Sequence, residues 1–313
     1  MYDTNFGTDP EIFIVDSKHN CIPPAALKED FGYTFINETT LLEDNGWKII
    51  EDGAATEINI QPSKDVNVIF DRISRAIKST ETFVRDYFDL QIKISPAVSF
   101  DIEKFWKGRG EAFKMCVMFG CDPDLDIYTG EYSQEIAADD VPHRFGGGHI
   151  HMQAPVDNND IFEDTFYYAT RLMDILVGNS AVAITRKTKS SVIDEKNRLL
   201  YYGRPGKIRL QNYEDGAKGI EYRTPSNFWI VDKEHTNFLL TLMNSVFNLI
   251  QHPADASKIL ERSWHGNVID NITKFRQPQA KEIALRSLDE LKRLKYLSYD
   301  EIASFIPLMA MQK

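Results

Sequence analysis

Apolar and polar positions alternate in several parts of the chain. "EIFIVD" at 11–16 and "TEINIQP" at 56–62 read as strands, the second stopped by its proline. "QIKISPAVSF" at 91–100, "GHIHMQAP" at 148–155 and "GIEYRTP" at 219–225 read the same way. Two stretches instead carry a helical period. Residues 64–88 place Val66, Ile69, Phe70, Ile73, Ile77, Phe83, Val84 and Phe88 on one stripe, and residues 159–185 do so with Phe162, Phe166, Leu172, Ile175 and Leu176. Residues 101–145 include the acidic, turn-rich "FGCDPDLDIYTGEYSQ" and read as a long ordered loop, a kind of segment that is often functional. Residues 186–210 read as basic and irregular, with "RKTKSS" at 186–191 a solvated, mobile loop. From about 232 the pattern is mostly helical, broken by proline at "QHPADAS" and "RQPQA". Strands in the first two thirds with helices placed irregularly among them predict an α+β fold, not a regular βαβ winding. The organisation expected is one unit over 1–313, with a sheet-bearing core to about 230 and a mostly helical part over 231–313.

Residues two apart on a strand share a face. Four such pairs recur: Asp9 and Glu11 (if the strand already includes residue 9), Glu57 and Asn59, His149 and His151, Glu221 and Arg223. The interleaved or adjacent residues are apolar, Ile58, Ile60, Ile150 and Ile220. Each pair alone is a weak signal, since a lone strand Glu usually faces solvent and Glu-Tyr-Arg can be a surface ion pair. Together they predict a sheet with one face of Asp, Glu, His and Arg. Such groups are rarely buried unless they pair or hold metal. "HRFGGGHIHMQAP" at 143–155 adds three glycines just before the histidines. Glycine suits places where backbone bends or approaches a ligand closely.

With carboxylates in the majority and one or two imidazoles, the set favours Mg²⁺ or Mn²⁺ over Zn²⁺. Cys116 and Cys121 with His143 match no standard zinc spacing. Arg186, Arg198, Arg204, Arg209 and Arg223 crowd around "YYGRPGKIRLQ", and arginine forks fit phosphate and carboxylate. Carboxylates for metal and arginines for phosphate are the equipment of ATP-dependent phosphoryl transfer.

The 313 residues carry a net charge of −11, which argues against nonspecific binding to nucleic acid or anionic membrane. "FLLTLMNSVFNLI" at 238–250 is too short and polar to span a bilayer, and "MYDTNFGTDPEIF" has no signal-peptide character. Three cysteines, an odd and low count, fit a reducing compartment. A cytoplasmic location is therefore expected, the host's if the chain is phage-encoded.

"GTDPEIF", "ATEINIQP", "GGGHIHMQAP" and "NRLLYYGRPGKIR…KGIEYRTPSNFW" occur in this order, with "FGCDPDLDIYTGE" between. They resemble the phage-type carboxylate–amine (COOH–NH2) ligases, amidoligases of the glutamine synthetase and glutamate–cysteine ligase superfamily. The resemblance runs from residue 7 to about 230. It implies a curved, mainly antiparallel sheet whose concave face holds the active site. It also implies a reaction in which ATP phosphorylates a carboxylate and an amine then displaces phosphate. By position, it makes Glu11, Glu57, His149 and Glu221 metal ligands, His149 binding the metal that bridges the nucleotide phosphates. Asp9 stands where relatives often have Glu in the first acidic pair. His151 aligns with a position that is not always histidine. Arg223 becomes the phosphate-binding arginine, and Arg198 and Arg209 phosphate or substrate contacts. Asp52 takes the acidic position before the second strand.

Two other readings compete. A cupin-type or hydrolytic His-x-His metalloenzyme would want a glutamate three or four residues after His151, where Ala154 and Pro155 stand, and has no use for the arginines. A non-catalytic module would be free to lose the Glu11, Glu57, His149, Glu221 and Arg223 set. The substrates, a small-molecule or peptide carboxylate and an amine, are left open, as is the oligomeric state.

Overall fold

The structure, a computed structural model, describes residues 3–31, 45–107, 111–119, 123–133, 136–137, 140–153, 159–186, 188–213, 218–261 and 267–310. Its strands are β1 (Phe6–Thr8), β2 (Glu11–Val15), β3 (Trp47–Asp52), β4 (Ala55–Ser63), β5 (Gln91–Lys93), β6 (Ala97–Ser99) and β7 (Met118–Phe119). They continue with β8 (Leu125–Asp126), β9 (Glu131–Tyr132), β10 (Ile136–Ala137), β11 (His143–Phe145), β12 (Ile150–Gln153), β13 (Lys207–Asn212) and β14 (Lys218–Tyr222). Ten form one sheet in the order β5-β2-β4-β1-β12-β14-β13-β8-β9, with β3 also paired to β4. The ladders between these strands are antiparallel. The architecture is α+β, a mainly antiparallel sheet with helices packed on it.

Alternation decides which face is which. Ile58, Ile150, Met152, Ile208, Ile220 and Tyr222 are fully buried and join one apolar cluster. On the other side of that cluster lie Ile69 and Ile73 of the helix Val66–Phe88, Leu172 of Asn159–Met173 and Leu239 of Lys233–Ile250. Burying each such side chain stabilises the fold by about 1.5–3 kcal/mol. Of the expected stripe over 159–185, Phe166 is half-buried and Leu172, Ile175 and Leu176 are buried, while the side chain of Phe162 lies outside the described residues. The C-terminal part is helical: Pro253–Leu260, Val268–Thr273, Gln277–Arg293 and Tyr299–Ala310. Pro253 and Pro278 stand in first helical turns, where a missing N–H costs nothing.

Several expectations need correction. Residues 101–145 are not one loop: they hold the helix Ile102–Phe105, a 3-10 turn at Glu111–Val117 and the short strands β7 to β11. Residues 186–210 are not irregular: they form the helix Lys189–Tyr201 and most of β13. The Thr188 side chain caps that helix by accepting from the Ser191 N–H, so "RKTKSS" is largely a helix start, with Lys187 outside the described residues. Glu195 and Arg198 are among its buried residues, and inward polar groups hide an apolar period. The 91–100 strand splits into β5 and β6 around Pro96, and the 148–155 strand narrows to β12, with 154–158 outside the described residues. β1, β3 and the helix Pro24–Phe31 were not expected at all.

Behind the sheet, the helix 159–184 loosens into a π turn at Asp174–Gly178. The buried Asp174 carboxylate accepts from the Tyr222 and Tyr128 hydroxyls, each at 2.7 Å. Burial nevertheless pushes its pKa up from 3.8 to about 7. A raised acid pKa contributes stability that is fully present below the unfolded value and is lost as pH rises through the folded one. Asp174 should therefore make stability fall between pH 4 and 7, by roughly 4 kcal/mol in all. In Asp174→Asn this component should vanish. Urea unfolding of both proteins across pH 4 to 8 checks it, and parallel pH profiles would refute it.

Candidate active site

The polar face of the sheet carries a cavity of about 340 Å³. Asp9, Glu11, Glu51, Asp52, Glu57 and Glu221 line it against three arginines, Arg144, Arg209 and Arg223, with His149, His151, Tyr202 and Gln211. Register explains the gathering. Glu11 on β2 sits opposite Glu57 on β4. His151 on β12 sits opposite Glu221 on β14, which sits opposite Arg209 on β13. Asp9 lies in the break between β1 and β2, outside either strand, yet its carboxylate reaches His149 Nδ1 and His151 Nε2, both at 3.1 Å. Arg223 follows β14 and holds Glu221 directly. Asp52 closes β3, on the cavity wall.

Arg198 is placed elsewhere. Its buried guanidinium donates to the carbonyls of Thr224 and Pro225 at 3.0 Å and of Arg223 at 3.3 Å, behind the loop that follows β14. It positions Arg223 from the back and does not line the cavity. Arg204 is exposed and caps helix carbonyls of Leu199 and Leu200, and Arg186 is exposed. Cys116 points its thiol at the Gly53 carbonyl, and Cys121 lies outside the described residues.

The glycine run is a packing requirement. The Gly147 N–H donates to Glu11 Oε2 at 2.7 Å, and its carbonyl accepts from the Glu11 N–H at 2.9 Å. A Cβ at Gly147 would stand 2.3 Å from His149 Nε2 and 2.8 Å from the Tyr202 hydroxyl. Gly148 presents its carbonyl to Trp229 Nε1 at 3.0 Å. Asn227 Nδ2 bonds the Glu11 carbonyl at 2.6 Å and fixes the start of β2.

Tyr202 ties the site together. Its hydroxyl accepts from Arg223 Nη2 at 2.9 Å, donates to Glu11 Oε1 at 3.1 Å and touches His149 Nε2. A hydroxyl has one proton. With it on Glu11, His149 donates from Nε2, and its Nδ1 faces Asp9 Oδ1 at 3.1 Å and Glu221 Oε1 at 3.4 Å. Nδ1, Asp9 Oδ1 and His151 Nε2 are buried without a hydrogen-bond partner among the described residues. A cation among these oxygens satisfies them, whether it is a proton on Nδ1 or a metal ion.

The charges say the same. Burial and the neighbouring charges of Asp9, Asp52, Glu11 and Glu221 push Glu57 well above the usual carboxylate range. Burial and Glu11 lift Asp52 to about 6. Burial would raise Asp9 too, but His151 and His149 hold it well below its ordinary value. For Glu221 burial is outweighed by Arg223, and its pKa is lowered. Asp9, His151 and Glu221 bring ligand atoms within 4.8 Å of one another, and so do Glu11, Asp52 and Glu57. Two oxygen-rich groups of three suit hard divalent cations.

Tyr202 and Gln211 escaped the sequence reading, although both fall in or beside "YYGRPGKIRLQ". Gln211 Nε2 donates to Glu221 Oε2 at 2.7 Å, so a residue two after Arg209 on the same face was the available signal.

No family model and no curated protein matches the sequence. Among solved structures, the ligase PafA in complex with the ubiquitin-like protein Pup is similar at a TM-score of 0.48 and 11% identity, over 98% of this chain and 63% of that one. Apo GmaS is similar at 0.39 and 12%, over 95% of this chain and 70% of that one. The chain thus spans 63% of the length of the Pup ligase chain. Both likenesses are faint.

Proposed function

We propose that the chain is an ATP-dependent carboxylate–amine ligase that uses Mg²⁺ or Mn²⁺. The observation that carries this reading is the gathering of ligand atoms in two groups, Asp9, His151 and Glu221, and Glu11, Asp52 and Glu57, each within 4.8 Å of one another on the cavity wall. Facing carboxylates on adjacent strands, Glu11 and Glu57, support it, because like charges directly opposite destabilise a ladder without a counter-ion. So do Arg209 and Arg223 on the cavity wall and the four sequence stretches that resemble the amidoligases.

A carboxylate is a poor electrophile because its charge is delocalised and repels nucleophiles. In the proposed reaction R–COO⁻ attacks the γ-phosphorus of ATP, giving R–CO–OPO3²⁻ and ADP. The amine R′–NH2 then attacks the carbonyl carbon, the C–O bond to phosphate breaks, and R–CO–NH–R′ and HPO4²⁻ leave. Divalent cations held by Asp9, His149, His151 and Glu221, and by Glu11, Asp52 and Glu57, would neutralise phosphate charge. Arg223, fixed by Tyr202 and Glu221, and Arg209 orient the phosphoryl group. Tyr202 and the Gly147 N–H keep Glu11 in place.

Without cations the six acids repel a triphosphate. ATP affinity by calorimetry should therefore fall by about 100-fold or more, roughly 3 kcal/mol, when excess chelator replaces Mg²⁺ or Mn²⁺. Tight binding of ATP in chelator would overturn the reading.

A further inference from the structure

The charged face changes character within one strand step. His149 just before β12, and His151 and Gln153 within it, follow one another on the site side, about 6.6 Å apart. The row through His151 is Gly7, His151, Glu221 and Arg209. The next row is Asn5, Gln153, Gly219 and Gln211, with Gln153 N–H bonded to the Asn5 carbonyl. It carries carboxamides and no charge. A second cavity, of about 170 Å³, lies over it and shares His151 with the first. Tyr213 and Pro62 are its walls.

Gly219 allows this layout, because a Cβ there would meet the Tyr213 ring at 2.6 Å and the Met152 carbonyl at 2.8 Å. Asn5 Nδ2 donates to Gln153 Oε1 at 2.9 Å. That leaves Asn5 Oδ1 as an acceptor and Gln153 Nε2 as a donor, side by side on half-buried residues. Exchanging O and N in both amides reverses the bond and still leaves one of each. A donor next to an acceptor matches the C=O and N–H of a peptide group. A free amino acid would bring an ammonium and a carboxylate, for which this row has no ionic partner.

Resting on the ligase reading, we infer that the carboxylate substrate is a polypeptide, its backbone amides seated on Asn5 and Gln153 and its reacting carboxylate lying across His151 toward Arg209. The placement follows from charge. A carboxylate is attracted to the end of the row that holds Arg209, and the neutral row beyond accepts only neutral chain.

The test uses the full chain with Mg²⁺ and two probe sets. One is a pool of eight-residue peptides, blocked at both ends, each with one internal glutamate or aspartate, and a companion pool with a free C-terminus. The other is the set of free amino acids. Binding is read by fluorescence anisotropy of the labelled pools, with the amino acids as competitors. Turnover is read as ATP-dependent hydroxamate with hydroxylamine in place of the amine. Peptides should bind at least about tenfold more tightly than amino acids, and Gln153→Leu should weaken them about tenfold, the worth of one good hydrogen bond, while ATP affinity stays. Asn5→Ala should act in the same direction and guards against a folding defect in the first variant. Hydroxamate from amino acids with no peptide bound would overturn the peptide site and leave the ligase standing. Peptide binding lost in Gln153→Leu, with no hydroxamate from either set, would uphold the site and overturn the ligase. Peptide binding unchanged in both variants, or no binding to either set, would overturn the site.

Discussion

Replacing Glu221 with glutamine should lower ADP formation by three orders of magnitude or more while the chain stays folded. Glu221 is 1% exposed, and its oxygens are used from four sides. Arg223 Nη1 holds Oε1, His149 Nδ1 faces the same oxygen at 3.4 Å, Arg209 Nη1 lies 3.6 Å from it, and Gln211 donates to Oε2. Glutamine keeps the shape but turns one oxygen into an N–H donor, which would face either Arg223 or Gln211. It also removes one charge from a proposed ligand set. Loss of several kcal/mol of transition-state stabilisation gives the expected rate. The folding cost should be smaller, about 1–3 kcal/mol, because a mismatched buried hydrogen bond is weighed against relief of repulsion among the acids. Steady-state ADP release and thermal unfolding measured on one sample check both halves. Near wild-type ADP release would remove Glu221 from the site's chemistry, and an unfolded variant would make it a structural residue.

The strands that bear this site were legible because each buries one face and keeps the other polar. Ile58, Ile150 and Ile220 marked the core side, so Glu57, His149, His151 and Glu221 fell to the other side without any knowledge of register. What alternation could not supply was the neighbour relation. That His151 faces Glu221 and Glu11 faces Glu57 is a property of strand order. Asp9 was anticipated through a strand that does not reach it, and it arrives by the turn between β1 and β2 instead. Arg198 lies apart from the cavity, and the sequence does not reveal this for a physical reason. The same planar fork that fits phosphate also fits three backbone carbonyls, and the sequence does not distinguish these uses. The wall built from 101–145 was illegible because its strands are two or three residues long, too short to establish a period. Even so, Met115, Cys116, Met118, Arg144 and Phe145 from that segment line the cavity.

Arg223→Lys should cost about two orders of magnitude in turnover although it keeps the charge. The Arg223 guanidinium is 4% exposed and stands over the Tyr202 ring, 5.2 Å from its centroid. It holds Glu221 with Nη1 and the Tyr202 hydroxyl at 2.9 Å with Nη2, and its Nε lies 3.7 Å from Asp124 Oδ2. Burial disfavours its charge, but Tyr202, Glu221, Glu11 and Asp9 more than compensate and raise its pKa, so the cation is permanent. A lysine ammonium is a single point on a flexible stem. It can satisfy Glu221 or Tyr202, but cannot hold both in one plane and also follow a phosphoryl group as negative charge shifts onto it. The Tyr202 hydroxyl would lose a donor, and its grip on His149 and Glu11 would loosen with it. The loss should therefore appear in kcat, with ATP affinity in the presence of Mg²⁺ changed only a few-fold. Arg204→Lys is the control, since Arg204 is exposed and, among the described residues, its side chain bonds helix-end carbonyls. It should leave the rate within about twofold, as surface changes away from a site usually do. Arg198→Lys should lower thermal stability, because three carbonyls behind β14 would lose their fork. Equal rates for Arg223→Lys and the wild type, with ATP bound in both, would place Arg223 in the scaffold and leave Arg209 as the arginine to test for phosphoryl transfer.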